Sequence, residues 1–326
     1  MKVISVLLSA VALLVSSTDV LAQAWSPQRN VEIVVGSAPG GSNDKTARQV
    51  ERILLEKKLV NVSLSVVNRP GGGGSIAFTS VYQRAGDPHY LLVGTTALLS
   101  NHIVGLSTLS HRDFTPIASL FNDYVVFAVN PESPIKTGKD LIERLKKDTK
   151  SISVGFATSF GNHQHITIGL LVKAVGGNAR DLKVVVFKGS AEAITAVLGG
   201  HVDLVVAGAV NVAPHVQTGR LRVVGVAGPK RFGGMLAAAP TWREQGVDLV
   251  SGGWRAILAP KDLTAAQVAY WEGVLRKATE YPEWKTDVEN NFWTDDFVTG
   301  PQLRKDLDKD YADMKAVLVD LGLAKQ

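Results

Sequence analysis

Two hydrophobic periods alternate along this chain. Short apolar, β-branched runs recur: VEIVV (31–35), VSLSVVN (62–68), YLLVG (90–94), YVVFAVN (124–130), SISVGF (151–156), LKVVVF (182–187), VDLVVAG (202–208) and LRVVGVAG (221–228). Between most of them, apolar positions return every three or four residues, the period of a helix with one buried face. Ala47, Val50 and Leu54 form one such stripe; Ile168, Leu171, Val172 and Val175 form another. This alternation predicts an α/β fold with largely parallel strands. The near-continuous apolar strands predict sheets covered on both faces. Thr264 with Gln267, and Thr299 with Gln302 and Pro301, have the spacing of capping boxes at helix starts. Gly199 and Gly219 read as helix stops. From about Pro240 the chain reads mostly as helix, with one strand-like piece, SGGWRAILAP (251–260).

One plan occurs twice. In VEIVVGSAPGGSNDKTARQVERILLEK and again in SISVGFATSFGNHQHITIGLLVKAVG, a short strand meets a turn of small, hydroxyl and amide residues, and a helix follows. Unpaired N–H groups at a helix start, with the dipole behind them, favour an anion. Glycines 40 and 41 let a ligand approach the backbone, and Ser42 and Asn43 either cap the helix or donate to the ligand. Further polar turns follow other strands: Thr95 and Thr96 after YLLVG, and Lys188, Gly189 and Ser190 after LKVVVF. Ligands of open α/β sheets bind beyond the carboxyl ends of the strands.

Composition narrows the setting. The 326 residues are 45% hydrophobic, enough for about two domains. The net charge is +5, and no block of five basic residues suggests a nucleic-acid arm. Without cysteine, disulfides, thiolate chemistry and lipidation at an N-terminal cysteine are excluded. Lys2, the apolar run from Val3 to Val15 and the A-x-A pattern of Ala22 and Ala24 predict a signal peptide, residues 1–24, cut so that Trp25 comes first. Export without an anchor predicts a Gram-negative periplasm.

Several chemistries fail on spacing. Lys45–Thr46 follows Asp44, and Pro39 stands where a phosphate loop needs its first glycine, so no nucleotide loop is present. GGGSIA (72–77) follows NRP rather than a strand, against a dinucleotide turn. ATSFG (157–161) imitates a nucleophile elbow around Ser159, with His163, His165, His201 or His215 as conceivable bases but without an oxyanion motif. His163 and His165 alone do not make a zinc site. Hydroxyl- and amide-rich turns without an acid–base pair suit binding rather than catalysis. They suit a carboxylate better than a phosphate, and no cofactor is expected.

PGGSNDKTAR, VVNRPGGGGSIA, LLVGTT, VNPESPIKT, VGFATSFGNHQH, FKGSAEAITAVLGGHVDL and HVQTGRLRVVGVAGPKR follow one another in an order and spacing that resembles the Bug-type periplasmic substrate-binding proteins of tripartite tricarboxylate transporters. The resemblance covers nearly all of the chain after Ala24. It implies a two-domain periplasmic-binding-protein fold of type II, the Venus flytrap, with a cleft between two mostly parallel sheets. The expected partition is 25–125 with 229–326 as domain 1, and 126–228 as domain 2. The resemblance also implies a small organic acid as ligand, handed to two integral membrane permease subunits by a monomer. A ligand-sensing subunit for a membrane histidine kinase is the alternative, and a periplasmic serine hydrolase the remote one. The family's first ligand loop corresponds to Ser37–Asn43, its second to Ala157–Asn162, with Thr158, Ser159 and Asn162, and its aromatic-K-G-S element to Phe187–Ser190. The family often has an aromatic residue and Asp after the next strand. Here Ala207 and Gly208 stand there, which moves the expected polar contact to Asn211. Lys188 and Arg255 are the candidate cations, Arg255 with a structural ion pair as its plainer role, and Trp254 reads as core.

Overall fold

The computed structural model describes residues 25–157 and 159–325. The signal-peptide segment 1–24 and Thr158 lie outside the described residues. Strands and helices alternate as the two periods demand. The first part of the chain runs β1 (Val31–Val35), α1 (Ser42–Glu56), β2 (Leu64–Asn68), α2 (Ser75–Tyr82), β3 (Tyr90–Thr95), α3 (Ala97–Ile103) and β4 (Thr115–Val129). Then come α4 (Gly138–Lys147), β5 (Ser153–Ala157), α5 (His163–Ala174), β6 (Lys183–Phe187), α6 (Ser190–Leu198), β7 (Leu204–Gly208), α7 (Ala209–Gln217) and β8 (Arg222–Val226). The chain ends with β9 (Gly252–Ala259), α8 (Ala265–Glu280), α9 (Pro282–Asn290), β10 (Thr294–Thr299) and α10 (Gly300–Asp320).

The strand order is β2-β1-β3-β9-β4-β7-β5-β6, with β8 and β10 also paired to β4. β1 runs parallel to β2 and β3, and β5 parallel to β6 and β7. The pairings of β9 with β3 and β4, and of β4 with β7, β8 and β10, are antiparallel. The sheets are therefore mixed, not mostly parallel as the sequence pattern suggests. The reason is β4. Its first part pairs with β9 and β10, and its last residues, from Val125, pair with β7 and β8. One long strand thus serves two sets of parallel strands, each with its carboxyl ends turned toward the middle of β4.

Each set has its own packed core. Ala47, Val50 and Leu54 of α1 pack with Ile33, Phe121 and Trp271, and Phe121 stacks on Trp293 with ring centroids 3.9 Å apart. Ile168, Leu171 and Val172 of α5 pack with Phe127, Phe156 and Trp242; Val175 closes the helix half-buried. The Thr264–Gln267 capping box is present as expected, whereas Thr299 caps nothing. The Thr299 hydroxyl accepts instead from Arg276, Gly300 N–H donates to Glu272, and Gln302 donates to Asp306. Local competition for every member undoes that box.

Candidate functional site

The helix starts fall into two kinds. Those of α4, α5 and α8 are closed by side chains, from Thr137, Asn162 and Thr264. The rest have no side-chain cap, and among them α1, α6 and α7 start just after Gly41, Gly189 and Gly208. These three follow directly on the carboxyl ends of β1, β6 and β7. An uncapped first turn leaves N–H donors pointing outward, where an anion is the natural partner.

The turn before α1 is held from behind. Gly40 has φ +81, a conformation that L side chains rarely adopt, and its N–H donates to Asp44 Oδ2 at 2.8 Å. Asp44 also accepts from Asn68 Nδ2 at 2.9 Å and Arg48 Nε at 3.0 Å. Burial alone would push the Asp44 carboxyl up, but these bonds from Arg48, Gly40 and Asn68 outweigh it and hold the group below the usual carboxylate range. The charge that spoils a phosphate loop in the sequence is here turned into the scaffold. Asn68 reaches the Ser37 carbonyl at 3.0 Å as well. Because the helix begins at Ser42, Ser42 and Asn43 are its first residues and not its caps, contrary to one reading of the sequence. Ser37 Oγ, Ser42 Oγ and Asn43 Oδ1 are buried without a hydrogen-bond partner. GGGG (71–74) packs against this turn: a Cβ on Gly36 would come within 2.8 Å of Gly74 Cα. That close backbone approach explains the glycines without any nucleotide.

The facing turns come from the other set of strands. Ala157 at the end of β5 pairs in register with Phe187 at the end of β6, so the two strands end side by side, Ala157 next to the start of Lys188, Gly189 and Ser190. Asn162 is a structural cap: its Oδ1 accepts from His165 N–H at 2.9 Å and its amide donates to the Ala157 carbonyl. Ser159 is half-buried, Gly189 and Ser190 are half-buried, and Lys188 is exposed, its N–H donating to Glu192 at 3.2 Å.

Strand β4 and its partner β9 join the two sets. Thr95 at the end of β3 is buried opposite Arg255 of β9. Thr96 is buried beside it, and Thr95 Oγ1 accepts from Ala97 N–H at 3.2 Å. Arg255 Nη2 lies 3.6 Å from Asp123 Oδ2 of β4. The space where a Cβ of Gly208 would stand is lined by Asp123 Oδ1 at 3.3 Å and Asn211 Nδ2 at 3.4 Å. Thr95, Arg255, Asp123, Gly208 and Asn211 thus form one line from the first set of strand ends to the second. Asn211 itself is exposed on α7. Arg255 keeps the ion pair expected as its plainer role, and Trp254 is core, packed with Leu258 and Leu303. Asp123 escaped the sequence reading. The available signal was charge economy: Asp123 is the sole charge in β4, and Arg255 the sole charge in β9.

The first helical residue of α5, His163, presses its ring on the same crossing, 3.1 Å from where a Gly253 Cβ would be. Burial and the nearby Arg255 lower its pKa to about 3. Burial lowers that of His165 to about 4. His165 Nδ1 accepts Gly161 N–H at 3.0 Å, and its ring stacks on Phe156 at 5.0 Å, a packing role rather than that of a base for Ser159. Both rings are neutral when folded and take a proton when unfolded below pH 6.5, so their stabilisation is complete above 6.5 and fades toward pH 4. Asp310, raised by burial to about 6, works in the opposite sense. The stability advantage of wild type over His165→Gln should therefore shrink by about 1.4 kcal/mol per pH unit between 6.5 and 4. Urea unfolding of both proteins at pH 7 and pH 5 checks this; a constant difference would show a solvated ring.

A cavity of about 570 Å³ lies on the other face of the crossing, between α5 and α10. Trp254 and Asn122 line it, and strand alternation sends Arg255 and Asp123 the opposite way. Of the ligand-binding residues predicted from sequence only Thr96 reaches it, and His163 borders it as well. Four aspartates, 296, 306, 310 and 313, border it, the wrong sign for a carboxylate. Among the described residues no cluster of three or more His, Asp or Glu is placed to hold a metal.

The family model described as "Tripartite tricarboxylate transporter family receptor" (TctC) matches residues 46–322. The chain belongs to this family. A UPF0065 protein of Cupriavidus necator is 26% identical over 309 residues, covering 92% of this chain and 89% of its own. Protein BugT of Bordetella pertussis is 26% identical over 266 residues, 78% of each chain. Among solved structures, MatC (Rpa3494) from Rhodopseudomonas palustris with bound malate superposes with a TM-score of 0.74 at 25% identity, over 90% of this chain and 99% of that one. This TctC-family chain is accordingly a solute-binding receptor with the two-domain binding-protein fold.

Proposed function

We propose that the protein captures a small carboxylate in the periplasm and delivers it to the two integral subunits of a tripartite tricarboxylate-type transporter. The observation that carries this reading is the set of uncapped helix starts at Gly41, Gly189 and Gly208, which lie at the carboxyl ends of strands from both sets, with Gly208 beside the Asp123–Arg255 pair. Three outward-facing turns and one buried cation suit an anion small enough to be enclosed between them. Malate in the related MatC supports the same ligand class. The proposed ligand shell comprises Ser37, Gly40, Gly41, Ser42, Asn43, Thr95, Thr96, Ser159, Asn162, Gly189, Ser190 and Asn211, with Lys188 at the rim. Thr158 belongs with them on sequence grounds. In this reading residues 25–125 with 229–326 form one lobe, and 126–228 the other. The lobes hinge at β4 and β9 and close on the ligand, whose binding energy drives closure. Export follows cleavage after Ala24.

A thermal-shift screen of mono-, di- and tricarboxylates against nucleotides tests the ligand class. A micromolar ligand at a hundredfold excess adds about 2.7 kcal/mol to the folded state. That should raise Tm by roughly 4 °C for a chain of this size. Stabilisation is expected from acids alone; a nucleotide as the sole hit would end the reading.

A further inference from the structure

Where the two sets of strand ends meet, the protein keeps an ion pair that is buried and only half satisfied. Asp123 is 5% exposed and Arg255 6%. Their closest charged atoms stand 3.6 Å apart, too far for a hydrogen bond. Register explains the gap. Asp123 faces Gly253 across the ladder and Arg255 faces Phe121, so the two side chains meet only diagonally. Arg255 Nη1 donates to the carbonyls of Gly253 and Trp254, each at 3.2 Å. Arg255 Nε and Asp123 Oδ1 are left without partners, and so is His163 Nε2 beside them. Buried polar atoms are nearly always paired, and charged ones left unpaired are costly. Burial pushes the Asp123 carboxyl up and the Arg255 guanidinium down from their ordinary values, and each is only partly offset by the other. A pair kept purely for structure would close its own bonds. This one offers a donor and an acceptor side by side, against Gly208, whose missing side chain leaves the Asp123 oxygens and Asn211 Nδ2 within 3.4 Å of its Cβ position.

We propose that Asp123 and Arg255 read the head of the ligand: Arg255 Nε–H donates to its carboxylate, and Asp123 Oδ1 accepts from a hydroxyl or ammonium group on the neighbouring carbon. The preferred ligand is then a 2-hydroxy or 2-amino acid, in preference to a plain dicarboxylate. This rests on the carboxylate-capture reading and narrows it. The charges agree with it. The pair is neutral as a unit, so a ligand that offers only a carboxylate satisfies Arg255 and leaves the Asp123 oxygen both unpaired and beside a second anion. A hydroxyl or ammonium next to the carboxylate satisfies both ends at once. Neutral His163 supplies a third contact from the first turn of α5. The pair is covered in this conformation, so the ligand reaches it with the lobes parted and is enclosed as they close.

Calorimetric titration of the mature protein with L-malate, L-aspartate and succinate tests this. The three have similar carbon skeletons and differ in the group beside the carboxylate. Wild type should bind malate or aspartate about tenfold or more tighter than succinate, the value of one hydrogen bond to a charged group. Malate above aspartate would mark a hydroxyl ligand, and the reverse order an ammonium one. In the double variant Asp123→Leu/Arg255→Met, the ratio should fall to about one. Asp123→Asn keeps the side-chain shape and should lower the ratio in the same direction, which serves if the double variant fails to fold. A wild-type ratio near one, or a ratio that survives in the variants, overturns the proposal and leaves carboxylate capture intact. If the wider acid screen returns only acids without the adjacent donor, the proposal falls alone; if it returns no acid, both readings fall.

Discussion

Gly41→Asp should abolish carboxylate binding while the ligand-free protein melts within about a degree of wild type. The two halves of this result have separate physical causes. Gly41 precedes the first turn of α1 with φ −72 and ψ 167, ordinary extended values that any residue adopts. Nothing in the backbone therefore requires glycine at this position. A Cβ there would stand 3.3 Å from the Ala38 carbonyl oxygen and 3.4 Å from Ser37 Oγ, which the turn accommodates by a shift of a few tenths of an ångström. Aspartate is among the best residues at a helix start, and it gains a few tenths of a kcal/mol over glycine there. Its carboxylate would accept from the first-turn N–H groups and would be held by the helix dipole. Those are the groups proposed to hold the ligand. A fixed intramolecular carboxylate has a very high effective concentration at that spot, so the free acid should bind at least about a hundredfold more weakly. Calorimetric titration gives the affinity and scanning calorimetry the stability. Gly189→Asp on α6 should act in the same direction, since nothing lies within 4 Å of its Cβ position. Unchanged affinity in both variants would move the site away from the helix starts. Loss of affinity together with collapse of the fold would make Gly41 a structural residue.

The glycine and hydroxyl turns were legible because local chemistry alone places them. A strand's apolar run, a small-residue turn and a helical stripe announce one another within a dozen residues, and Ser37–Asn43 and Ala157–Asn162 lie where that pattern puts them. What the pattern hides is which helix start stays open. Ser42 reads as a cap, yet Gly40 with its positive φ and Asp44 reaching back to Gly40 N–H start the helix one residue earlier. Asn162 reads as a ligand contact, and it also closes its own helix, which the pattern does not announce. The apolar pattern announces β4 only from Tyr124 onward, although the strand starts at Thr115. Pro116, Asn122 and Asp123 interrupt its apolar run, and their tolerance depends on partners distant in sequence, such as Arg255 and Asp296. β10, with sequence TDDFVT, carries too little apolar character to announce itself and exists because it lies along the edge of β4. Tertiary pairing decides such strands, and one-dimensional periodicity does not record it.

Asp123→Leu alone should destabilise the protein by about 3–5 kcal/mol, whereas Asp123→Leu combined with Arg255→Met should lie within about 1 kcal/mol of wild type or above it. The single change leaves a guanidinium buried at 6% exposure with its counter-charge gone. Arg255→Met alone strands the carboxylate in the same way and should cost a similar amount. The double change replaces two poorly paired charges by apolar side chains of comparable volume. It does so in a region where Phe121 and Ile257 already pack beneath the crossing strands. Urea unfolding of the four proteins, with m-values to check that the unfolding transition is unchanged, closes the cycle. Full additivity, with the double variant losing the sum of the singles, would mean that the two side chains do not sense each other and that their proximity at 3.6 Å is incidental. The expected outcome has a consequence for function. A pair that hydrophobic residues can replace without loss of stability is not retained for folding. Its position between Thr95 and Gly208, where the strand ends of both sets converge, leaves recognition of the ligand as the property that such a replacement would remove.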